Sequence, residues 1–201
     1  MPVFNLGCIV EGHGEVDAIR ILLERIGFDI DPECYIQCSY ILRVSKDKLI
    51  RPGELERSIE AVGRCGKPVN GIFILIDADK DCPANLGPQL LQRAEMIQTD
   101  IPKGLVLAKY EYEAWFIASF EYIAQKYGVP ITSKLLDANP EEVRGAKEWL
   151  ADHLGFKYVE TRHQASLTRQ FDLTRARAAS SFDKCYREVQ HLINLIRNGP
   201  L

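Results

Sequence analysis

Seven acids stand where an apolar run gives way to a polar turn, and that placement is what could do chemistry. In CIVEGHGEVDAI, residues 8–19, an apolar run stops at Glu11, turns through Gly12, His13 and Gly14, and resumes with helical spacing after Glu15. GIFILID, residues 71–77, ends the same way in Asp77, and Asp79 and Asp81 follow within ADKDCP. GLVLAKY, a third such run, leads into Glu111 and Glu113. An ionised carboxylate directly after a buried strand needs compensation by a cation, an arginine or backbone amides. Carboxylates sharing one site repel, and a divalent ion that prefers hard oxygen ligands, such as Mg²⁺, relieves the repulsion. Some of these acids also suit a plainer role. Glu15, Glu111 and Glu113 fall at helix starts, where a negative side chain complements the helix dipole by about 0.3–1 kcal/mol. Asp81 suits the start of a turn before Pro83. His13 is either an exposed loop residue or a group able to bind phosphate or shuttle a proton.

For these acids to meet, the strands carrying them must be parallel neighbours. VFNLGCIV is nearly continuously apolar, as expected of a strand covered on both faces. Val16, Ile19, Leu22, Leu23 and Ile26 then recur at helical spacing up to Gly27. CYIQCSYILRV reads as an edge strand and SKDKLIR as a solvated charged loop. PGELERSIEAVGRCG reads as a helix opening at Pro52, and LGPQLLQRAEMIQ as the next helix. EYEAWFIASFEYIAQKYG is expected to be one long amphipathic helix ended by Gly128 and Pro130. Beyond residue 131 no strand is expected. NPEEVRGAKEWLADHLG reads as a helix with Asn139 as its N-cap, followed by a polar connection and the helix SSFDKCYREVQHLINLIRNG. The expected fold is α/β: a mostly parallel four-stranded sheet flanked by helices over residues 1–130, with a helical C-terminal extension over 131–201 packed on the same domain. All strand C-termini of such a sheet lie on one edge, where open α/β folds build their sites.

With 201 residues, 46% of them hydrophobic, the chain can bury one generous core. Its net charge of -3 argues against a uniformly basic nucleic-acid binder. Locally, Lys157, Arg162, Arg169, Arg175, Arg177, Lys184 and Arg187 outnumber Glu160, Asp172 and Asp183, which gives either a phosphate-binding surface or a solvated helical face. The six cysteines lack CxxC spacing and suit small buried hydrophobes in a reducing compartment. The N-terminal run is too short for a bilayer and has no basic start, so a cytoplasmic protein away from membranes is expected. EGHGE is neither GxGxxG nor a Walker loop, because acids stand where a phosphate loop has lysine. Phosphate held through a metal is the more coherent expectation, with Gly12 and Gly14 allowing unusual backbone angles or close approach of a ligand.

EGHGE after the first strand and DAD within ILIDADKDCP resemble the Toprim domain of topoisomerases, primases, recombination proteins and nucleases of the overcoming-lysogenisation-defect type. Over nearly the whole chain, VEGHGEVDAI, DADKDCP, EYEAWF and HQASLTRQFDL with SSFDK resemble a prokaryotic Toprim-like family often encoded beside ATPases. The resemblance implies a Mg²⁺- or Mn²⁺-dependent site for phosphodiester hydrolysis on nucleic acid, DNA in the first instance, in bacterial defence or DNA processing. It implies Glu11 as metal ligand or acid/base, Asp77 and Asp79 as the metal-binding aspartates, and Glu15 and Asp81 as supporting ligands. Glu111 and Glu113 stand in a second tier. Such nucleases add a lysine beyond the Asp-x-Asp strand, for which Lys109 is the catalytic candidate by position, while Lys80 joins His13 as a phosphate contact. The alternative implied is a non-catalytic Toprim-like binding or regulatory subunit working with an ATPase partner. A small-molecule phosphatase or phosphotransferase also fits the acids but lacks a nucleotide fingerprint.

Overall fold

The computed structural model describes residues 3–97, 100–132 and 139–199. Strands β1 (Val3–Val10), β2 (Tyr35–Arg43), β3 (Gly71–Asp77) and β4 (Lys103–Ala108) form one all-parallel sheet in the order β2-β1-β3-β4. The fold is therefore the α/β one expected, a four-stranded parallel sheet with flanking helices and a helical C-terminal region. The chain leaves β1 for β2 on one side and then crosses to β3 and β4 on the other. That reversal puts the switch point between the C-terminal ends of β1 and β3.

Both faces of the central strands are covered, so neither strand alternates. On one face lie α1 (His13–Ile30) and α10 (Ser180–Asn198), with Cys8, Val10, Phe73 and Leu75 pointing at them. On the other lie α3 (Glu54–Gly63) and α4 (Pro83–Glu95), over Ile9, Ile72, Ile74 and Ile76. Each isoleucine there is fully buried, and burial of such a side chain stabilises by about 1.5–3 kcal/mol. The first core continues into α5 (Ala114–Ala118), α6 (Phe120–Tyr127), α7 (Ala146–His153), α8 (Glu160–Gln170) and α9 (Leu173–Ala176). Trp115 sits at its centre, 5.2 Å from the Phe182 ring centre and donating from Nε1 to Ser181 Oγ at 2.9 Å. Among the described residues no helix is long and apolar enough to cross a membrane.

Several elements depart from the pattern reading. The long helix expected over 111–128 breaks at Ser119, which is fully buried and spends its Oγ accepting the Asp172 amide at 2.7 Å. Asn139 makes a local turn, accepting Glu141 N–H and donating to Glu142, while α7 starts only after Gly145 at φ 71°. The expected polar connection holds α8, whose buried face is Gln164, Leu167 and Thr168. Arg25 of α1 fastens the end of α8, donating to Thr168 O at 2.6 Å and Phe171 O at 2.7 Å, carbonyls that the helix itself leaves open. SKDKLIR is not a solvated loop: it contains the short helix α2 (Lys46–Leu49), which buries Lys46.

Candidate active site at the switch point

β1 and β3 deliver Glu11 and Asp77 to the two sides of the switch point. Between them opens a cleft of about 230 Å³, lined from the sheet half by Glu11, Glu15, Asp77, Asp79 and Glu111. The extension closes it with Lys147, Glu160 and Gln164.

The acids divide into two groups, each with its own lysine. In the first, Glu11 Oε1 accepts the Lys46 amide at 3.0 Å. The Lys46 side chain is only 5% exposed, and its Nζ donates to Ala78 O at 2.5 Å and Asp79 Oδ2 at 3.0 Å, and lies 2.8 Å from Asp81 Oδ2. Burial works against the Lys46 charge, but the hydrogen bonds to Asp81 and Asp79 outweigh it and hold the lysine above its ordinary value. Asp79 adopts φ 50°, with its amide donating to Tyr110 O at 2.9 Å; a short polar side chain tolerates this left-handed backbone better than most. Glu11 Oε2 is buried and has no partner among the described residues. Burial pushes the Glu11 carboxyl up, and the nearby Asp79 charge adds to that while the Lys46 amide opposes it.

The second group lies behind the first. Glu15, the third residue of α1, turns back so that its Oε2 accepts the Glu11 amide at 2.9 Å, a capping contact at the helix start. Its burial raises the carboxyl from 4.5 to about 7. Asp77 Oδ1 accepts the Tyr112 amide at 2.8 Å. Burial, then the charges of Glu15 and Glu113, push Asp77 well above the usual carboxylate range. Glu113 is fully buried, accepts the Tyr158 hydroxyl at 2.7 Å through Oε1, and leaves Oε2 with no partner among the described residues. Its own burial raises it from 4.5 to about 7. Lys147 is the counter-charge: burial opposes its protonation, but Glu113, Glu160 and Asp77 hold it firmly protonated, with Nζ 2.7 Å from Glu160 Oε2. Burial, with repulsion from neighbouring carboxylates, pushes Glu15, Asp77 and Glu113 toward their protonated forms, and Lys147 opposes it.

Glu11, Glu15, Asp77, Asp79 and Glu111 thus share the cleft, while Asp81 pairs with Lys46 and Glu113 is sealed behind it. Glu111 Oε2 accepts the Lys147 amide at 3.3 Å. The structure separates three candidates from the cleft. Lys109 lies 4.5 Å from the centre of the Tyr110 ring and lines another cavity with Cys82 and Pro83. Lys80 and His13 are exposed and line no part of the cleft. Gly12 has ordinary extended backbone at φ -88°, ψ 159°, and the Gly14 backbone is not left-handed either. Gly14 is needed for a different reason: a Cβ there would lie 2.2 Å from Gln164 Oε1 and 2.9 Å from Glu160 O, so its bareness lets α8 reach the cleft.

Four residues of the site escaped the sequence reading: Lys46, Lys147, Glu160 and Gln164. Lys147 lies one turn before buried Leu150, and Gln164 one turn before Leu167 and Thr168. That i, i+3, i+4 spacing was the available signal, blurred because the face is partly polar. The basic stretch over 157–187 is largely spent internally. Arg177 and Arg187 both bind Asp183, Lys184 binds Glu188, and Arg175 binds Glu121, whereas Lys157, Arg162 and Arg169 are exposed. All six cysteines are free thiols.

Among the described residues no three His, Cys, Asp or Glu side chains are grouped closely enough to hold a metal ion as they stand. The donor chemistry nonetheless fits a hard divalent cation. The carboxylates offer only oxygen, and Glu11 Oε2 is a buried acceptor lacking a partner among the described residues. Glu11, Asp77 and Asp79 are the residues that would hold the ion, with Lys46 and Lys147 supplying positive charge without it. Compared with protein-family models, with curated proteins and with solved structures, the chain matches none.

Proposed function

We propose that the protein is a Toprim-type phosphodiester hydrolase that acts on nucleic acid with Mg²⁺ or Mn²⁺. The observation that supports it best is the gathering of Glu11, Asp77 and Asp79 in one cleft at the switch point, with Glu11 Oε2 unpartnered among the described residues. Glu11, Asp77 and Asp79 would hold the divalent ion, which when bound would supply Lewis acidity to a phosphoryl oxygen and to an attacking water. Glu11 offers Oε2 either to that ion or, with its carboxyl raised by burial, to a proton of the reacting oxygens, and not to both at once. Lys46 fixes Asp79 and Asp81 and places positive charge beside them, where negative charge develops on the phosphoryl group. Lys147 adds positive charge from the extension.

Incubation with circular double-stranded DNA, single-stranded DNA and RNA in Mg²⁺ or Mn²⁺ tests this reading. Cleavage of at least one substrate, lost in Glu11→Gln and Asp77→Asn, is the expected result. Absence of cleavage from all three, or cleavage indifferent to both substitutions, refutes it. A second reading has an observation of its own: Lys46 already neutralises Asp79 and Asp81, and among the described residues no three acids are set for a metal. That arrangement favours a non-catalytic Toprim-like subunit that works with an ATPase partner, and metal binding without turnover would identify it.

A further inference from the structure

Gln164 lines the cleft and is only 3% exposed, yet its side-chain amide makes no hydrogen bond among the described residues. The other side chains around the cleft are six carboxylates and Lys147, whose Nζ lies 2.7 Å from Glu160 Oε2. Among the described residues, Gln164 Nε2 is therefore the one side-chain donor of the cleft left unused. A buried amide without a protein partner costs folding free energy, and an apolar side chain of the same length would avoid that cost.

The helix that carries this amide is held in place at both ends. At its start, Val159 N–H donates to His163 Nδ1 at 2.8 Å, and Lys147 binds Glu160. At its end, Arg25 donates to the carbonyls of Thr168 and Phe171. Thr168 Oγ1 also lies 2.9 Å from the Tyr112 hydroxyl, and the Tyr112 amide donates to Asp77 Oδ1. Rolling α8 to turn Gln164 out to solvent would break these contacts. Gly14 completes the arrangement. Oε1 lies 2.2 Å from the place a Gly14 Cβ would take, so Oε1 faces α1 and Nε2 is the end farther from it. The amide is thus fixed on a firm support, as a group that orients a ligand must be.

The surrounding groups say what such a donor serves. Six carboxylates already accept, so the need they leave is a donor for an acceptor oxygen on the ligand. A neutral amide keeps its N–H groups for that oxygen, whereas a further lysine would pair with the acids, as Lys147 does with Glu160. We propose that Gln164 is a substrate-binding residue that donates from Nε2 to one non-bridging oxygen of the phosphodiester in the cleft. The inference rests on the phosphodiester reading above and adds to it the contact that selects which of the two non-bridging oxygens faces α8.

Fluorescence polarisation of the full chain with labelled DNA and RNA oligonucleotides, in Ca²⁺ so that binding is read apart from turnover, tests it. Each oligonucleotide is compared with its Rp and Sp phosphorothioate forms, which replace one or the other non-bridging oxygen by sulfur, a weaker acceptor. Gln164→Met should raise the Kd about tenfold, the loss of one hydrogen bond to a charged group. It should melt no lower than wild type, because it removes an unpaired buried amide. Gln164→Ala, which cannot crowd Gly14, should weaken binding equally. In wild type, sulfur in one of the two forms should weaken binding, and Gln164→Met should erase that penalty. The proposal is overturned if wild type binds no oligonucleotide, or if both variants, folded, bind as wild type does. A sulfur penalty that is absent, or equal in wild type and Gln164→Met, also overturns it. Cleavage in Mn²⁺ that both variants retain at the wild-type rate and Kd would leave the phosphodiester reading standing and remove Gln164. Binding that depends on Gln164, without cleavage, would do the reverse.

Discussion

Replacing Glu113 by glutamine should change how stability depends on pH, by an amount the structure sets. Glu113 is fully buried, with Tyr158 hydrogen-bonded to one oxygen and no partner for the other among the described residues. Burial raises its carboxyl from 4.5 to about 7, and Lys147 and the Tyr158 hydroxyl keep it from rising further. The folded chain therefore holds this proton to a higher pH than the unfolded chain does. The stabilisation is fully present below the unfolded value of 4.5 and is lost as pH rises through about 7. That gap corresponds to about 3 kcal/mol. Glutamine does not titrate, still accepts from Tyr158, and places an amide where the second oxygen was. Relative to wild type, Glu113→Gln should gain about 3 kcal/mol between pH ~4.5 and pH ~8. Contributions of unrelated acids cancel in the difference. Urea unfolding of both proteins across that range measures it from midpoints and slopes. A wild-type-to-variant difference that stays constant within about 0.5 kcal/mol would refute the assignment of Glu113 as a carboxyl kept protonated by burial.

Other perturbations follow from the same geometry. Lys46→Met removes an ammonium bound to Ala78 O, Asp79 and Asp81. It should cost about 2–3 kcal/mol in urea unfolding, less than a fully buried pair because both aspartates are half exposed. Gly14→Ala forces a Cβ to within 2.2 Å of Gln164 Oε1 and should destabilise by about 1–3 kcal/mol. Adding Gln164→Ala should recover part of that loss, and thermal denaturation of the single and double variants reads both effects; no recovery would mean that the Glu160 carbonyl, not Gln164, sets the limit.

The parts of this molecule legible in its sequence are those governed by apolar burial. VFNLGCIV and GIFILID read as strands buried on both faces because each has a helix layer on either side, and both match β1 and β3 residue for residue. Glu11 and Asp77 stood out because a carboxylate after such a run has no local compensation. Its compensation was not legible, since it comes from far along the chain: Lys46 lies 33 residues from Asp79 and sits inside a charged stretch that reads as solvated. Helix α8 escaped for a related reason, because the face it buries uses Gln164 and Thr168 beside a single leucine. Ser119 likewise breaks an amphipathic run through one hydrogen bond to Asp172, a partner that hydropathy cannot register.

The most direct test of the central claim is a crystal grown or soaked with Mn²⁺ and read for anomalous scattering at the ends of β1 and β3. The expected result is a peak in contact with Glu11 and with Asp77 or Asp79, which disappears in Glu11→Gln. Continuous, well-ordered density for these side chains with no peak at millimolar Mn²⁺, and with the Lys46 ammonium still bridging Asp79 and Asp81, would contradict it.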